Sequence, residues 1–161
     1  MDNIKIEKLY ANGIISVAKI ASENFSGMKN VNLAKKWITG NFKNQPRMQY
    51  FVVKHKGKIL GYVLWSEKSG FRKEAVMELE QIAVSQEFRE RGIGLQLIKD
   101  SLEKIKEYLK KRGSSLKIIE VTTRSDNAAQ NLYEKAFGAK VECTIKDFLR
   151  GDEVIMIARK N

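Results

Sequence analysis

The stretch from Val76 to Arg112 constrains the fold more than any other part of the chain. Val76–Val84 is β-rich, a short loop follows, and Gly92 and Gly94 then open a segment in which Leu95, Ile98, Leu102, Ile105 and Leu109 recur at helical spacing. Gly113 stands where such a helix would stop. A strand that runs through a short loop into a long amphipathic helix leaves backbone N–H groups unpaired where the helix begins. The positive end of the helix dipole and the side chains of Arg89 and Arg91 lie beside them, which suits a phosphate or pyrophosphate. Glycine lets an anion approach that backbone with no side chain in the way. A Walker loop is excluded, because no Gly-Lys-Ser/Thr follows the first glycine at the required distance. A dinucleotide fingerprint is poor, since Leu97 stands where its third glycine belongs.

The flanking segments supply the rest of an α/β pattern. Residues 3–9 alternate weakly and read as a first strand. Ile14, Val17, Ala18, Ala21 and Phe25 predict a helix over about 12–25, and Leu33 or Ala34 with Trp37, Ile38 and Phe42 predict a second over about 31–43. Gln49–His55 and Ile59–Ser66 are β-rich runs joined by Lys56-Gly57-Lys58, the pattern of an antiparallel hairpin. A polar loop spans Glu67–Glu74. Leu116–Thr123 reads as a strand, Asp126–Phe137 as a helix with a capping residue first, and Lys140–Phe148 with Glu153–Ala158 as strands joined across Arg150-Gly151-Asp152. The order β-α-α-β-β-β-α-β-α-β-β predicts an α/β sandwich on a mostly antiparallel sheet of about seven strands with about four helices.

Composition narrows the function. A chain of 161 residues suits a single domain, and no apolar run approaches the ~20 residues that span a bilayer. The N-terminus, Met1-Asp2-Asn3-Ile4-Lys5, lacks the pattern of a secretory signal, so a cytoplasmic protein with no membrane partner is expected. One cysteine, Cys143, and one histidine, His55, cannot build a common zinc or iron site, and no metal is expected. The net charge of +11 suits nucleic acid, an anionic membrane surface or a polyanionic small ligand, and alone decides little among them. Its densest group, Lys104, Lys106, Lys110, Lys111 and Arg112, alternates with Glu103 and Glu107 as a solvated helix face does. No nucleic-acid-binding motif accompanies the charge, so nucleic acid is not an expected partner.

Arg89-x-x-Gly92-x-Gly94, placed after Leu79-Glu80-Gln81-Ile82-Ala83-Val84, resembles the Arg/Gln-x-x-Gly-x-Gly/Ala signature of the GNAT superfamily of acetyl-CoA-dependent N-acetyltransferases. Downstream, Asp126-Asn127-Ala128-Ala129-Gln130-Asn131-Leu132-Tyr133-Glu134-Lys135 is similar to that family's Asn-x-x-Ala-x-x-Leu-Tyr-Glu-Lys segment. The resemblance is strong from about residue 48 onward and weaker over the first two helices. It implies that Arg89, Glu90, Arg91, Gly92, Ile93 and Gly94 hold the pyrophosphate of acetyl-CoA, the acyl donor. Backbone groups of Ile82, Ala83 and Val84 would pair with the pantetheine arm, with an N–H near Ile82 polarising the thioester carbonyl. Tyr133 would be the general acid that protonates the departing thiolate. The family's asparagine falls on Asp126 by spacing, with Asn127 one residue closer to Tyr133. The family's Gly-Phe appears rearranged, as Ala136-Phe137-Gly138-Ala139.

The resemblance also implies an amine acceptor, which must lose a proton before or during attack. Glu80, Glu78 and Glu120, in that order, are the candidate carboxylate bases; Glu78 and Glu80 share one face of their strand. The first two helices would form the acceptor side. Trp37, Phe42, Tyr50 and Trp65 either line a pocket there or belong to the core, and Phe148 is equally open. Cys143 reads as a packed strand residue and His55 as a hairpin residue near solvent. A small molecule, a polyamine and a protein N-terminus are the acceptor alternatives, and the chain is expected as a monomer or homodimer. A catalytically silent acyl-CoA-binding module on the same fold is the alternative reading.

Overall fold

The computed structural model describes residues 4–68, 70–149 and 151–160. Asn3, Ser69 and Arg150, which fall in the predicted first strand, the 67–74 loop and the final turn, lie outside the described residues. The elements are β1 (Lys5–Lys8), α1 (Ile14–Asn24), α2 (Val31–Lys43), β2 (Met48–His55), β3 (Lys58–Glu67), β4 (Glu74–Val84), α3 (Ile93–Lys111), β5 (Ser115–Arg124), α4 (Ala129–Phe137), β6 (Lys140–Ile145) and β7 (Glu153–Arg159). The predicted order is thus the observed one. The strands form a seven-stranded sheet in the order β1-β2-β3-β4-β5-β7-β6. β4 and β5 are parallel, while β1–β2, β5–β7 and β6–β7 are antiparallel. The sheet is mixed, as predicted. No helix of the described residues is long and apolar enough to cross a membrane.

The chain divides into two compact units. One holds the described residues up to Trp65 together with Gln81–Ser101; the other holds Ser66–Glu80 and the residues from Leu102 on. In the first, Val17, Ala18, Ala21, Ala34 and Ile38 of α1 and α2 pack on Tyr50, Val52, Tyr62 and Leu64 of the β2–β3 hairpin. The hairpin turn places both Lys56 and Gly57 at positive φ, the geometry of a two-residue type I′ turn. α2 resolves the choice between Leu33 and Ala34. Ala34 and Ile38 are buried, so Leu33 and Trp37, on the adjacent arc of the helix, are exposed. Trp65 is fully buried and donates from Nε1 to Ser101 Oγ at 2.9 Å, and Ser101 donates to the Ile98 carbonyl at 3.1 Å. That chain satisfies both buried polar groups. In α3 the buried apolar residues of this unit are Ile93, Leu97 and Ile98, with Leu95 only partly covered.

In the second unit, Ile119, Val121, Val154, Met156 and Ala158 of β5 and β7 are buried, as are Ile105 and Leu109 of α3. Arg112, just past α3, makes a two-pronged ion pair with the buried Glu67, Nη1 and Nη2 donating at 2.8 and 2.7 Å. It also donates to Tyr108 Oη and Ser114 Oγ. The Glu67 hydrogen bond outweighs desolvation and raises the Arg112 pKa above its ordinary range. Removing Arg112 takes both Nη hydrogen bonds away from a buried carboxylate. Arg112→Ala is therefore expected to destabilise the protein by about 3 kcal/mol. Urea denaturation checks this; a change within about 0.5 kcal/mol, as surface substitutions give, would mean that the pair is dispensable.

Two single-residue expectations are corrected. Cys143 is exposed, because β6 is the edge strand of the sheet and its residues are exposed from Lys140 to Thr144. β6 ends at Ile145, which leaves Phe148 in the following turn, about half exposed. His55 closes β2 beside the exposed hairpin turn, half-buried, with Nδ1 inaccessible.

Candidate active site

β4 carries the candidate residues. Ala75, Met77, Leu79 and Ala83 are buried, while Glu78, Glu80, Ile82 and Val84 alternate with them as half-buried residues of the opposite face. The β4–β5 ladder runs from Glu74 opposite Ser115 to Glu78 opposite Glu120.

In the first unit, β3 sets the position of the β4 end. A Cβ on Gly61 would lie 2.8 Å from the Ala83 carbonyl oxygen, so only glycine permits this close approach. The Ser85 N–H then donates to the Leu60 carbonyl at 2.8 Å. A short 3-10 turn, Gln86–Phe88, leads to the glycine loop. Its backbone is unusual: Glu90 and Gly92 both have positive φ, 61° and 75°. Left-handed backbone at a non-glycine residue costs roughly 1–2 kcal/mol, and such strain collects where a loop must hold a shape. Alternating left-handed residues can turn successive N–H groups toward one concavity. Among the described residues, no hydrogen bond engages the N–H groups of Glu90, Arg91 or Gly92. α3 begins at the next residue, where the first N–H groups of a helix are also unpaired by geometry.

The arginines differ in role. Arg89 is tied back, donating from Nε to the Val84 carbonyl at 3.3 Å and from Nη2 to Asn24 Oδ1 at 2.6 Å. It clamps the loop to the C-terminal end of α1. Arg91 lies over the Phe88 ring, 5.7 Å from its centroid. The loop therefore offers backbone donors and positive charge, and its donor set fits a pyrophosphate.

In the second unit, Glu78 and Glu120 are ladder partners, and a third residue lies on both. Lys68 Nζ sits 3.3 Å from Glu78 Oε2 and 2.7 Å from Glu120 Oε1. Like charges placed opposite each other repel, and the ammonium relieves this. Burial works against the Lys68 charge, but the hydrogen bond to Glu120 and the charges of both carboxylates prevail and raise its pKa. Two of the three base candidates thus share a cation, a feature absent from the sequence reading. Glu80 is half-buried on the same face of β4.

α4 begins at Ala129, three residues later than expected, and Asp126 and Asn127 lie in the turn before it. Asn127 Oδ1 accepts from the Ala129 N–H at 2.9 Å and its Nδ2 donates to Thr123 Oγ1 at 2.8 Å. Asp126 instead pairs with Arg124 in solvent. Asn127 thus braces the turn that leads into α4, whose N-cap is Ala128. Gly138, left-handed, ends it, which accounts for the rearranged Ala136–Ala139 segment. Tyr133 lies on the buried side of α4 with its ring 6.3 Å from that of Phe137. No hydrogen bond engages its hydroxyl among the described residues, and burial pushes its pKa up to about 12. Of the aromatics considered for an acceptor pocket, Tyr50 and Trp65 belong to the core, Phe42 is partly buried, and Trp37 is exposed. Among the described residues no group of three or more His, Cys, Asp or Glu could hold a metal ion.

A seven-stranded mixed sheet with four α-helices among the described residues, and a loop of left-handed residues at a helix start, define the fold as α/β. A sequence model of the acetyltransferase (GNAT) family matches residues 14–139, and the chain belongs to that family. An uncharacterized N-acetyltransferase of Methanocaldococcus jannaschii is 32% identical over 123 residues, covering 72% of this chain and 51% of that protein. The chain thus matches about half the length of this curated relative. A GNAT-family protein of Desulfovibrio desulfuricans has a similar structure, with a TM-score of 0.76 at 16% identity over 98% of this chain and 99% of that one. A GNAT acetyltransferase of Elizabethkingia anophelis with acetyl-CoA bound gives 0.67 at 20% identity over 99% and 100%. At these identities the structural likenesses describe the fold.

Proposed function

We propose that the chain is a single catalytic domain that transfers the acetyl group of acetyl-CoA to a primary amine by direct attack in a ternary complex. The observation that carries this reading is the left-handed Glu90–Gly92 loop, whose N–H groups have no partner among the described residues at the start of α3. Membership of the GNAT family supports acetyl-CoA as the donor. In this reading the loop from Arg89 to Gly94 binds the pyrophosphate, and the backbone of Ile82–Val84 pairs with the pantetheine arm. Acetyl-CoA supplies an activated thioester. The amine nitrogen bonds to the carbonyl carbon, the C–S bond breaks, and one proton leaves nitrogen while another reaches sulfur. The Ile82 N–H stabilises charge on the carbonyl oxygen, and Tyr133 protonates the sulfur.

Glu80 is the base in this reading: it stands nine residues before Arg89 and is half-buried on the same face of β4 as Glu78. Glu80→Gln is expected to lower kcat about tenfold, less than the usual range for general catalysis because some of the amine is already neutral. Glu120→Gln should change kcat less than about threefold. Steady-state kinetics near neutral pH decide this, and the reverse ranking would transfer the role to Glu120. The function itself is tested by thiol release from acetyl-CoA against amines, polyamines and N-terminal peptides. Turnover with one class is expected; tight CoA binding without turnover in any class would leave a silent acyl-CoA-binding module.

A further inference from the structure

The sequence reading sets the first two helices on the acceptor side, but the outward face of α2, where Trp37 is exposed, carries none of the groups given a role in the proposed reaction. Leu33, Trp37, Gly40 and Asn44 follow at spacings of four, three and four, one stripe on a helix. Leu33 and Trp37 are 63% and 55% exposed, and with Met28 they line a recess of about 520 Å³. Gly40 lies within this lining, and nothing lies within 4 Å of a Cβ placed on it. Its φ is not positive, so neither packing nor backbone conformation demands glycine. Glycine weakens a helix interior relative to alanine. What its presence does here is keep the recess open.

The charge around the recess has one sign. Lys36 lines it, Lys43 lies seven residues further along the same flank, and Lys29 follows Met28. None of the three forms an ion pair among the described residues. From Asn24 to Ser66 the sequence contains no aspartate or glutamate. An apolar recess with an uncompensated cationic edge is complementary to an apolar anchor flanked by carboxylates. A concave shape accepts inserted side chains, whereas a bilayer surface requires apolar groups that protrude.

We propose that this face of α2 docks an acidic amphipathic segment of a partner protein. Its apolar side chains enter the recess beside Leu33 and Trp37, and its carboxylates meet Lys29, Lys36 and Lys43. Because Trp65 is fully buried, a change in tryptophan emission on binding reports Trp37. The probe is a synthetic helical peptide with leucines on one face and glutamates on the other, titrated into the full chain. A saturable blue shift is expected, weakening as salt is raised. Gly40→Leu should fill the recess and weaken binding at least tenfold while the thermal midpoint stays the same or rises. The combined Lys29→Glu, Lys36→Glu and Lys43→Glu variant should lose affinity to a similar degree. Absence of a saturable shift up to about 1 mM peptide would overturn the proposal. So would equal binding of a peptide with lysines in place of the glutamates, or undiminished binding by Gly40→Leu. A stronger response to phosphatidylserine vesicles or duplex DNA than to the glutamate peptide would overturn it too, by assigning the face to a membrane or to nucleic acid.

Discussion

Gly92→Asp is expected to weaken acetyl-CoA binding by about a thousandfold or more, roughly 4 kcal/mol. Two costs combine. Gly92 has φ of 75°, where an L side chain adds of order 1–2 kcal/mol of backbone strain. A Cβ built there meets nothing within 4 Å, so the carboxylate would project into open space beside the loop. If that space is where the pyrophosphate sits, like charges face each other across donors meant for an anion. Two further variants separate the costs. Gly92→Asn keeps a side chain that tolerates left-handed backbone but removes the charge, and should retain much more affinity than the aspartate. Gly92→Ala carries the strain alone. Calorimetric titration with acetyl-CoA measures all three, and aspartate binding within about threefold of the wild type would remove the loop from the pyrophosphate.

The placement of this loop was legible in the sequence because every signal for it is local. β-rich residues, two glycines and an amphipathic repeat lie within one continuous stretch, and each has its own conformational reason. The positive φ of Glu90 has no such signature, since glutamate is not a residue that announces it. Contacts between distant positions were likewise hidden. Lys68 lies 52 residues from Glu120 in sequence, and only the β4–β5 register brings Glu78 opposite Glu120 and so makes a bridging cation intelligible. Nothing in the sequence around Gly61 signals that the Ala83 carbonyl, 22 residues on, lies against it.

α2 shows a different limit. Helical periodicity places Leu33, Ala34, Trp37 and Ile38 on a broad arc, and either half of that arc can face the core. The small Ala34 beside Ile38 lets α2 pack on the hairpin, which turns Trp37 to solvent. Cys143 illustrates the same point in a strand. Lys140-Val141-Glu142-Cys143 alternates as a half-buried strand does, but β6 is at the edge of the sheet and neither of its faces is covered. Local pattern specifies which residues share a face; packing decides which face is buried.

Tyr133→Phe carries the second large effect, expected in kcat and not in acetyl-CoA affinity. The substitution keeps the ring that stacks near Phe137 and removes only the hydroxyl, so α4 and its packing should persist. Burial pushes the Tyr133 pKa to about 12, and at neutral pH the group is a protonated donor. A proton supplied at the departing sulfur in the transition state contributes about 10²–10⁴-fold, so a loss of at least a hundredfold in kcat is expected. The KM for acetyl-CoA should move less than about threefold, since the donor acts only as charge develops on sulfur. The same shift has a signed consequence for stability. Between the ordinary tyrosine pKa near 10 and the folded value near 12, the unfolded chain ionises while the folded one does not, so stability attributable to Tyr133 falls as pH rises through that window and is complete below it. In Tyr133→Phe that part of the alkaline fall should disappear in urea melts at pH 9 and above. Retention of kcat would remove Tyr133 from the chemistry, and retention of the alkaline slope would mean that another group causes it.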